Sequence, residues 1–327
     1  MEPILVLLHT TDEGALPKAA LETLAVAQTL GTYHLAVLGA NAAAAAQSVS
    51  AGALSVRAIE GDAVAVSRYA TDAVAAQALA TASGATVILA PCTLRFQRAL
   101  PGVAARLNGA CDTHVVAVDP DLSIHRWYYR QRMEATQSRT ARPWFVLIEP
   151  GAADPCAAQP GAAAEVLPCA VETRTEVIGY QSPNADQQTI RPDAQLLFVA
   201  GAGWTKKQKD GQTHTDEAGS LILNFVQHNK TSLGSSKSLV DLSGEGQAVL
   251  PFLTHLHQVG QTGSTPRHRK GLSTCCHGEE PHVVGWRFIN ERRAINLDAA
   301  CGWARGKADV LYVADAFEVM RELAKLL

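Results

Sequence analysis

Apolar residues in this chain come in short runs that alternate between two periods. ILVLLH (4–9), YHLAVLGA (33–40) and ATVILAP (85–91) are compact apolar stretches of strand length, the pattern of strands covered on both faces. Between them, PKAALETLAVAQTL (17–30) and TDAVAAQALATAS (71–83) repeat apolar residues at helical spacing and stop at Gly31 and Gly84, glycine being the common helix terminator. FQRALPGVAARLN (96–108) predicts a further helix whose proline restricts its start, and NAAAAAQ (41–47) reads as small-residue helix filler. DTHVVAVD (112–119) and PWFVLIEPG (143–151) predict two more strands. Strand alternating with helix implies a mostly parallel sheet with helices on both faces.

The pattern lapses from 152 to 193, a stretch rich in Ala, Pro and polar residues, where TRTEVIGY (173–180) predicts an excursion strand before a linker. QLLFVAGAG (195–203) restarts it. TKKQKDGQTHTDEAG (205–219) reads as a solvated loop and LILNFVQHN (221–229) as a helix. KSLVDLS, HVVGWRF, RRAINLD, KADVLYVAD and FEVMRELAKLL complete a second unit. The expectation is an α/β chain of two Rossmann-like domains, 1–190 with its linker and 191–327, each a mostly parallel sheet with flanking helices. Open α/β sheets bind ligands beyond the carboxyl ends of their strands. In the second domain those ends carry small or polar residues: AGAG after LLFV, SSK before SLVD, and AIN before Leu-Asp.

Composition narrows the classes. A length of 327 residues fits two domains at ~150 residues each, and 47% hydrophobic residues suffice for two cores. A net charge of −3 implies no basic face, so nucleic acid is not an expected partner. Seven cysteines, without a framework spacing, fit a reducing compartment. No apolar run approaches the ~20 residues of a membrane span, and ILVLL reads as a buried strand rather than a targeting segment. The cytoplasm is therefore the expected location. QVGQTGST (258–265) places two glycines three apart, a spacing that lets backbone N–H groups approach a phosphate or flat polar ligand and that equally makes a tight turn.

From QVGQTG outward, the chain resembles the α subunit of electron-transfer flavoproteins. RPDAQLLFVAGAG (191–203), GSSKSLVD (234–241), QVGQTG (258–263), PHVVGW (281–286), AINLD (294–298) and the closing FEVMREL resemble that family's landmarks in order, and APCTLRFQRALPGVAARLNGACD (90–112) resembles its first-domain segment. The resemblance implies FAD held between the second domain and a β subunit that itself holds AMP. It further implies a carrier without substrate turnover of its own, taking electrons from flavoprotein dehydrogenases and passing them to a membrane quinone reductase.

Carried over position by position, the resemblance implies Lys237 over the flavin ring in place of an arginine, preceded by Ser236. Gln261, Thr262 and Gly263 form the turn at the ring, His282 faces its O2, and Asn296 and Asp309 lie around the adenosine portion. The family serine falls on His277 when counted back from His282, or on Ser273 if an insertion follows GLST. The family's Gly-Gly-Arg-Gly turn is AGAGW here, its arginine either replaced by Trp204 or absent. Two rival readings accompany this one. The first is a flavin-free α-like structural or nucleotide-binding subunit, which the missing arginine favours. The second is a metal protein built on Cys275, Cys276, His277 and His282, with His255, His257 and His268 upstream. Adjacent cysteines seldom share one ion and no C-x-x-C pair is present, so no metal ligands are expected. A hydrolase is disfavoured because no G-x-S-x-G elbow occurs.

Overall fold

The computed structural model describes every residue except 1, 130–132, 172, 180–189, 192–193, 230, 242–247, 261–264, 275–287, 301–303 and 305–307. The chain divides into two units, Met1–Tyr180 and Gln181–Leu327. In the first, β1 (Ile4–His9) leads through α1 (Lys18–Leu30) to β2 (Tyr33–Leu38), then through α2 (Ala42–Gln47) to β3 (Val56–Ile59). α3 (Asp62–Ala65) and α4 (Tyr69–Ser83) lead to β4 (Val87–Pro91), and α5 (Leu94–Arg106) to β5 (Ala110–Val118). β6 (Ile124–Tyr128), β7 (Met133–Gln137), β8 (Trp144–Ile148) and a two-residue β9 (Glu165–Val166) complete the unit.

The sheet order is β7-β6-β5-β8-β4-β1-β2-β3-β9. Pairing is parallel from β5 to β9 and antiparallel only at β5-β6 and β6-β7. The apolar run of β1 is buried on both faces. Ile4, Val6 and Leu8 pack with Leu24 and Ala27 of α1, while Leu5 and Leu7 pack with Leu79 of α4 and Phe96 and Leu100 of α5. Each such leucine contributes roughly 1.5–3 kcal/mol by leaving water. Arg95 anchors the start of α5: its Nη2 donates to Asp72 Oδ1 at 2.6 Å and to Val64 O at 2.6 Å, all in the interior.

Some elements were invisible to apolar patterning. β6 (IHRWY) and β7 (MEATQ) are mostly polar, and they are held by one carboxylate. Asp112, in β5, accepts from Arg126 Nη1 at 2.6 Å, Gln137 Nε2 at 2.8 Å, Trp144 Nε1 at 2.9 Å, and Arg139. The expected strand over TRTEVIGY does not form at residues 173–179. There the Thr173 hydroxyl bonds locally, accepting from Thr175 N and donating to Thr175 O, and such local bonds compete with a ladder. β9 pairs with the sheet edge instead.

His9 closes β1 and is buried at 7% exposure. Its Nδ1 lies 3.0 Å from Thr10 O and so carries the proton, while Nε2 accepts from the Thr93 hydroxyl at 2.7 Å. Burial, aided by the nearby Arg95 charge, pulls the imidazole down to about 4. The unfolded chain, with an ordinary histidine near 6.5, takes up that proton first. Stability is therefore full above about pH 6.5 and falls as pH drops toward 4, by about 3 kcal/mol in total. Urea denaturation of the wild type and His9→Gln at pH 7 and pH 4.5 checks this: the wild type should lose more midpoint on acidification than the variant.

The second unit runs β10 (Leu196–Ala200), α6 (Thr215–His228), β11 (Ser232–Ser235), α7 (Lys237–Asp241), β12 (His268–Thr274), β13 (Ile289–Asn296), β14 (Val310–Val313) and α8 (Ala316–Ala324). Its sheet is parallel throughout the order β11-β10-β12-β13-β14. The expected polar loop is shorter than its composition suggests, because α6 begins at Thr215. Asp216 and Glu217 lie in its first turn, where carboxylates oppose the helix dipole, and Arg321 of α8 grips Glu217 at 2.5 and 2.9 Å. The last five residues of that stretch are thus the start of an amphipathic helix, while 206–214 stay irregular. Among the described residues no helix is long and apolar enough to cross a membrane. Both units are thus Rossmann-like α/β folds, each with a mostly parallel sheet and flanking helices.

Candidate cofactor site

In the second sheet the chain steps from β10 to β11 on one side and then crosses to β12 on the other. Such a reversal opens a crevice beyond the carboxyl ends of the two strands that flank it. Here those ends are tied together. Gly201 N donates to Thr274 O at 2.8 Å, and the Trp204 indole N–H donates to Thr274 Oγ1 at 2.8 Å. Trp204 is fully buried, with its ring 4.6 Å from that of Phe317.

The QVGQTGST segment reaches this edge from outside the sheet. Gln258 forms a parallel bridge with Ser235, and Val259 N donates to Ser235 O at 3.0 Å. Gly234 permits that approach, since a Cβ there would lie 2.5 Å from Val259 Cγ2. Gly260 adopts φ +81° and its N–H donates to Thr265 Oγ1 at 2.8 Å, so the two ends of the segment are joined. Gln261, Thr262 and Gly263 lie outside the described residues, as does His282. The same holds for Cys275, Cys276 and His277 of the rival metal reading.

The remaining candidates separate into two places. Ser236 lies between β11 and α7; its N–H donates to Ala200 O at 2.8 Å and its Oγ accepts from Leu239 N at 3.3 Å, capping α7. Lys237 opens α7 with a half-exposed side chain, Nζ 3.8 Å from Asp241 Oδ2. Ser273, buried in β12, stands in register with Val199 and Ala294. Asn296 ends β13, 1% exposed, its Oδ1 accepting from Asp298 N at 2.9 Å. These four lie within two residues of carboxyl strand ends. Asp309 does not: it precedes β14, its Oδ2 accepting from Arg292 N at 2.6 Å. Asn296 pairs with Val313, the last residue of β14, so Asp309 stands four residues back along the strand, about 13 Å from that edge.

Sequence reasoning passed over one residue here. Ser235 Oγ is fully buried without a hydrogen-bond partner, and so is Asn296 Nδ2. Ser235 shares a row with Ala200 and Thr274, with β13 next in line. Ile295 completes that row, so Asn296 stands one residue beyond it with its side chain on the opposite face, and three strand spacings, about 14 Å, separate the two positions along the carboxyl edge. An unsatisfied buried polar group costs roughly 1–3 kcal/mol, and an elongated polar ligand along the edge would relieve both. The donors thus fit FAD at its polar parts, with Lys237 as a cation two residues after Ser235.

A family model described as the electron transfer flavoprotein domain matches residues 4–172. The chain belongs to this family. The electron transfer flavoprotein match spans the first sheet from β1 through β9, whereas every candidate cofactor residue stands in the second unit. No curated protein matches the chain. Membership in the electron transfer flavoprotein family makes a part in electron transfer, together with partner proteins, the coarse function of the chain.

Proposed function

We propose that the chain is an α-type subunit of an electron-transfer flavoprotein that binds FAD along the carboxyl edge of its second sheet. A β subunit carrying AMP completes the cleft. Electrons arrive from flavoprotein dehydrogenases and leave to a membrane quinone reductase, and the chain itself turns over no substrate. The observation that carries this reading is the pair of orphaned buried groups, Ser235 Oγ and Asn296 Nδ2, in a member of this family. The bound flavin supplies one- and two-electron redox chemistry. The chain's residues position it: Asn296 and Ser235 offer hydrogen bonds, Ser236 fixes the start of α7, and Lys237 offers positive charge near the ring. The domain roles follow, with 1–190 meeting the β subunit and 191–327 holding FAD. A cytoplasmic location is supported by the free thiols of Cys92, Cys111, Cys156 and Cys169.

The test is a visible spectrum of the chain co-purified with its β subunit. About one flavin per heterodimer is expected. Asn296→Ala should weaken FAD retention roughly three- to tenfold, the worth of one hydrogen bond. Retention unchanged by that variant would remove Asn296 from the site. One observation favours the flavin-free alternative: Trp204 is buried where the resemblance expects an arginine. A colourless heterodimer that takes up no added FAD would establish that alternative.

A further inference from the structure

The first sheet gathers a second set of ligand-type side chains at its carboxyl edge. Cys92 follows β4, Glu149 follows β8 and His114 lies in β5, and these strands are neighbours in the order β5-β8-β4. The cysteine sulfur, an imidazole nitrogen and a carboxylate oxygen all lie within 4.8 Å of one another. A tetrahedral zinc ion, with donors at 2.0–2.3 Å, holds them about 3.5 Å apart. Side-chain movement of about 1 Å closes the set around an ion.

Three features set this cluster apart from a chance surface pair. First, the β5-β8 register shifts between Asp112 and Val115, and His114 sits there at φ +58°. That backbone region is unfavourable for a residue other than glycine. The irregularity places the His114 ring against Glu149, with Nδ1 2.8 Å from Oε2. Secondly, two N–H groups converge on the Cys92 sulfur: His114 N and Gln97 Nε2, each at 3.3 Å. Thiols accept weakly, while a metal-bound thiolate is regularly held by such outer donors. Thirdly, access is right. Cys92 is buried, and the His114 side chain is 47% exposed, leaving a way in from solvent. An exposed His–Glu pair needs neither a left-handed histidine nor a cysteine beneath it.

We propose that Cys92, His114 and Glu149 bind a zinc ion, with the fourth position open to solvent. One sulfur, one imidazole nitrogen and one carboxylate oxygen form a donor set suited to zinc. Binding replaces the thiol proton, which passes to solvent, by a Zn–S bond, and the His114–Glu149 hydrogen bond gives way to two metal bonds. Thiolate and carboxylate together neutralise the dication.

The test uses the full chain, stripped with a chelator and titrated with Co²⁺ and then Zn²⁺. The expected result is about one equivalent of Co²⁺ with a thiolate-to-metal charge-transfer band in the near ultraviolet, erased by Zn²⁺. Cys92→Ser should abolish the band and Cys156→Ser should leave it intact. His114→Asn keeps a residue that tolerates the left-handed backbone and should weaken binding at least about tenfold, as should Glu149→Gln. His114 is exposed and Glu149 is less buried than Cys92, so these two variants carry the test if Cys92→Ser fails to fold. Co²⁺ binding without the charge-transfer band, no binding, or an affinity indifferent to His114→Asn and Glu149→Gln would each overturn the proposal.

Discussion

Trp204→Ala should lower the stability of the second unit by about 3–5 kcal/mol, the cost of emptying a large aromatic site in a packed core. The indole is fully buried and packs against Phe317 of α8 among the side chains that join α6, α7 and α8 to the sheet. Its N–H is also spent on Thr274 Oγ1, at the end of β12. The truncation therefore removes packing and leaves that hydroxyl with one partner fewer. Domains hold together by about 5–15 kcal/mol, so the loss is a large share of the total. Native-state hydrogen exchange reads it directly: amides of α6 and α8 should lose protection together, while those of β1 and β4 keep theirs. A loss below about 1 kcal/mol would mean that the site collapses around the gap. Trp204→Arg, which restores the residue type the resemblance expects, should do no better. It would put a guanidinium among apolar side chains, where an unpaired charge is costly.

Asp112→Ala should lower the stability of the first unit by a similar amount, about 3–5 kcal/mol, as expected when one partner leaves a buried charge network. Its carboxylate is 1% exposed and meets Arg126, whose side chain is 15% exposed. Arg139 is 43% exposed and is screened by water, so most of the effect belongs to Arg126, Gln137 and the Trp144 N–H. Burial pushes the Asp112 carboxyl up, but Arg139, Trp144 and Gln137 together outweigh it and hold it below the ordinary value of 3.8. For a depressed carboxyl, the stabilisation is present above the unfolded value and is lost as pH falls through the folded one. The gap between wild type and Asp112→Ala should accordingly be widest near neutrality and narrow below about pH 3.8. Denaturant titrations at pH 7 and pH 3 measure both gaps, and an equal gap at the two would show that packing rather than charge accounts for the loss.

The sequence was most legible where burial was two-sided. β1, β2, β4 and β8 are mostly apolar runs because helices cover both faces, and Gly31 and Gly84 end α1 and α4 as their chemistry requires. It was least legible where something other than apolar burial holds an element in place. β6 and β7 depend on a carboxylate in another strand, and β11 (SLGS) on the close approach of Val259 to Gly234. The candidate site divides in the same way. Ser236 and Asn296 were readable from strand ends, whereas Asp309 follows the ladder to the opposite end of β14. Cys92, His114 and Glu149 carry no spacing signal, since 22 and 35 positions separate neighbouring members and a backbone irregularity brings them together.

The position of β8 has a further consequence, for the order in which the chain is made. β8 lies between β4 and β5 in the sheet although it follows both in sequence. While the nascent chain lengthens from Pro91 to Trp144, β4 has no neighbour on that side and β5 has no place to dock. The pairing of β4 with β8, which joins Val87 to Trp144 across 57 residues, must then wait for β8, and such non-local pairings are slow to find. Until Ile148 has emerged from the ribosome, an apolar strand edge stays open to other chains, the state in which nascent proteins are most prone to aggregate.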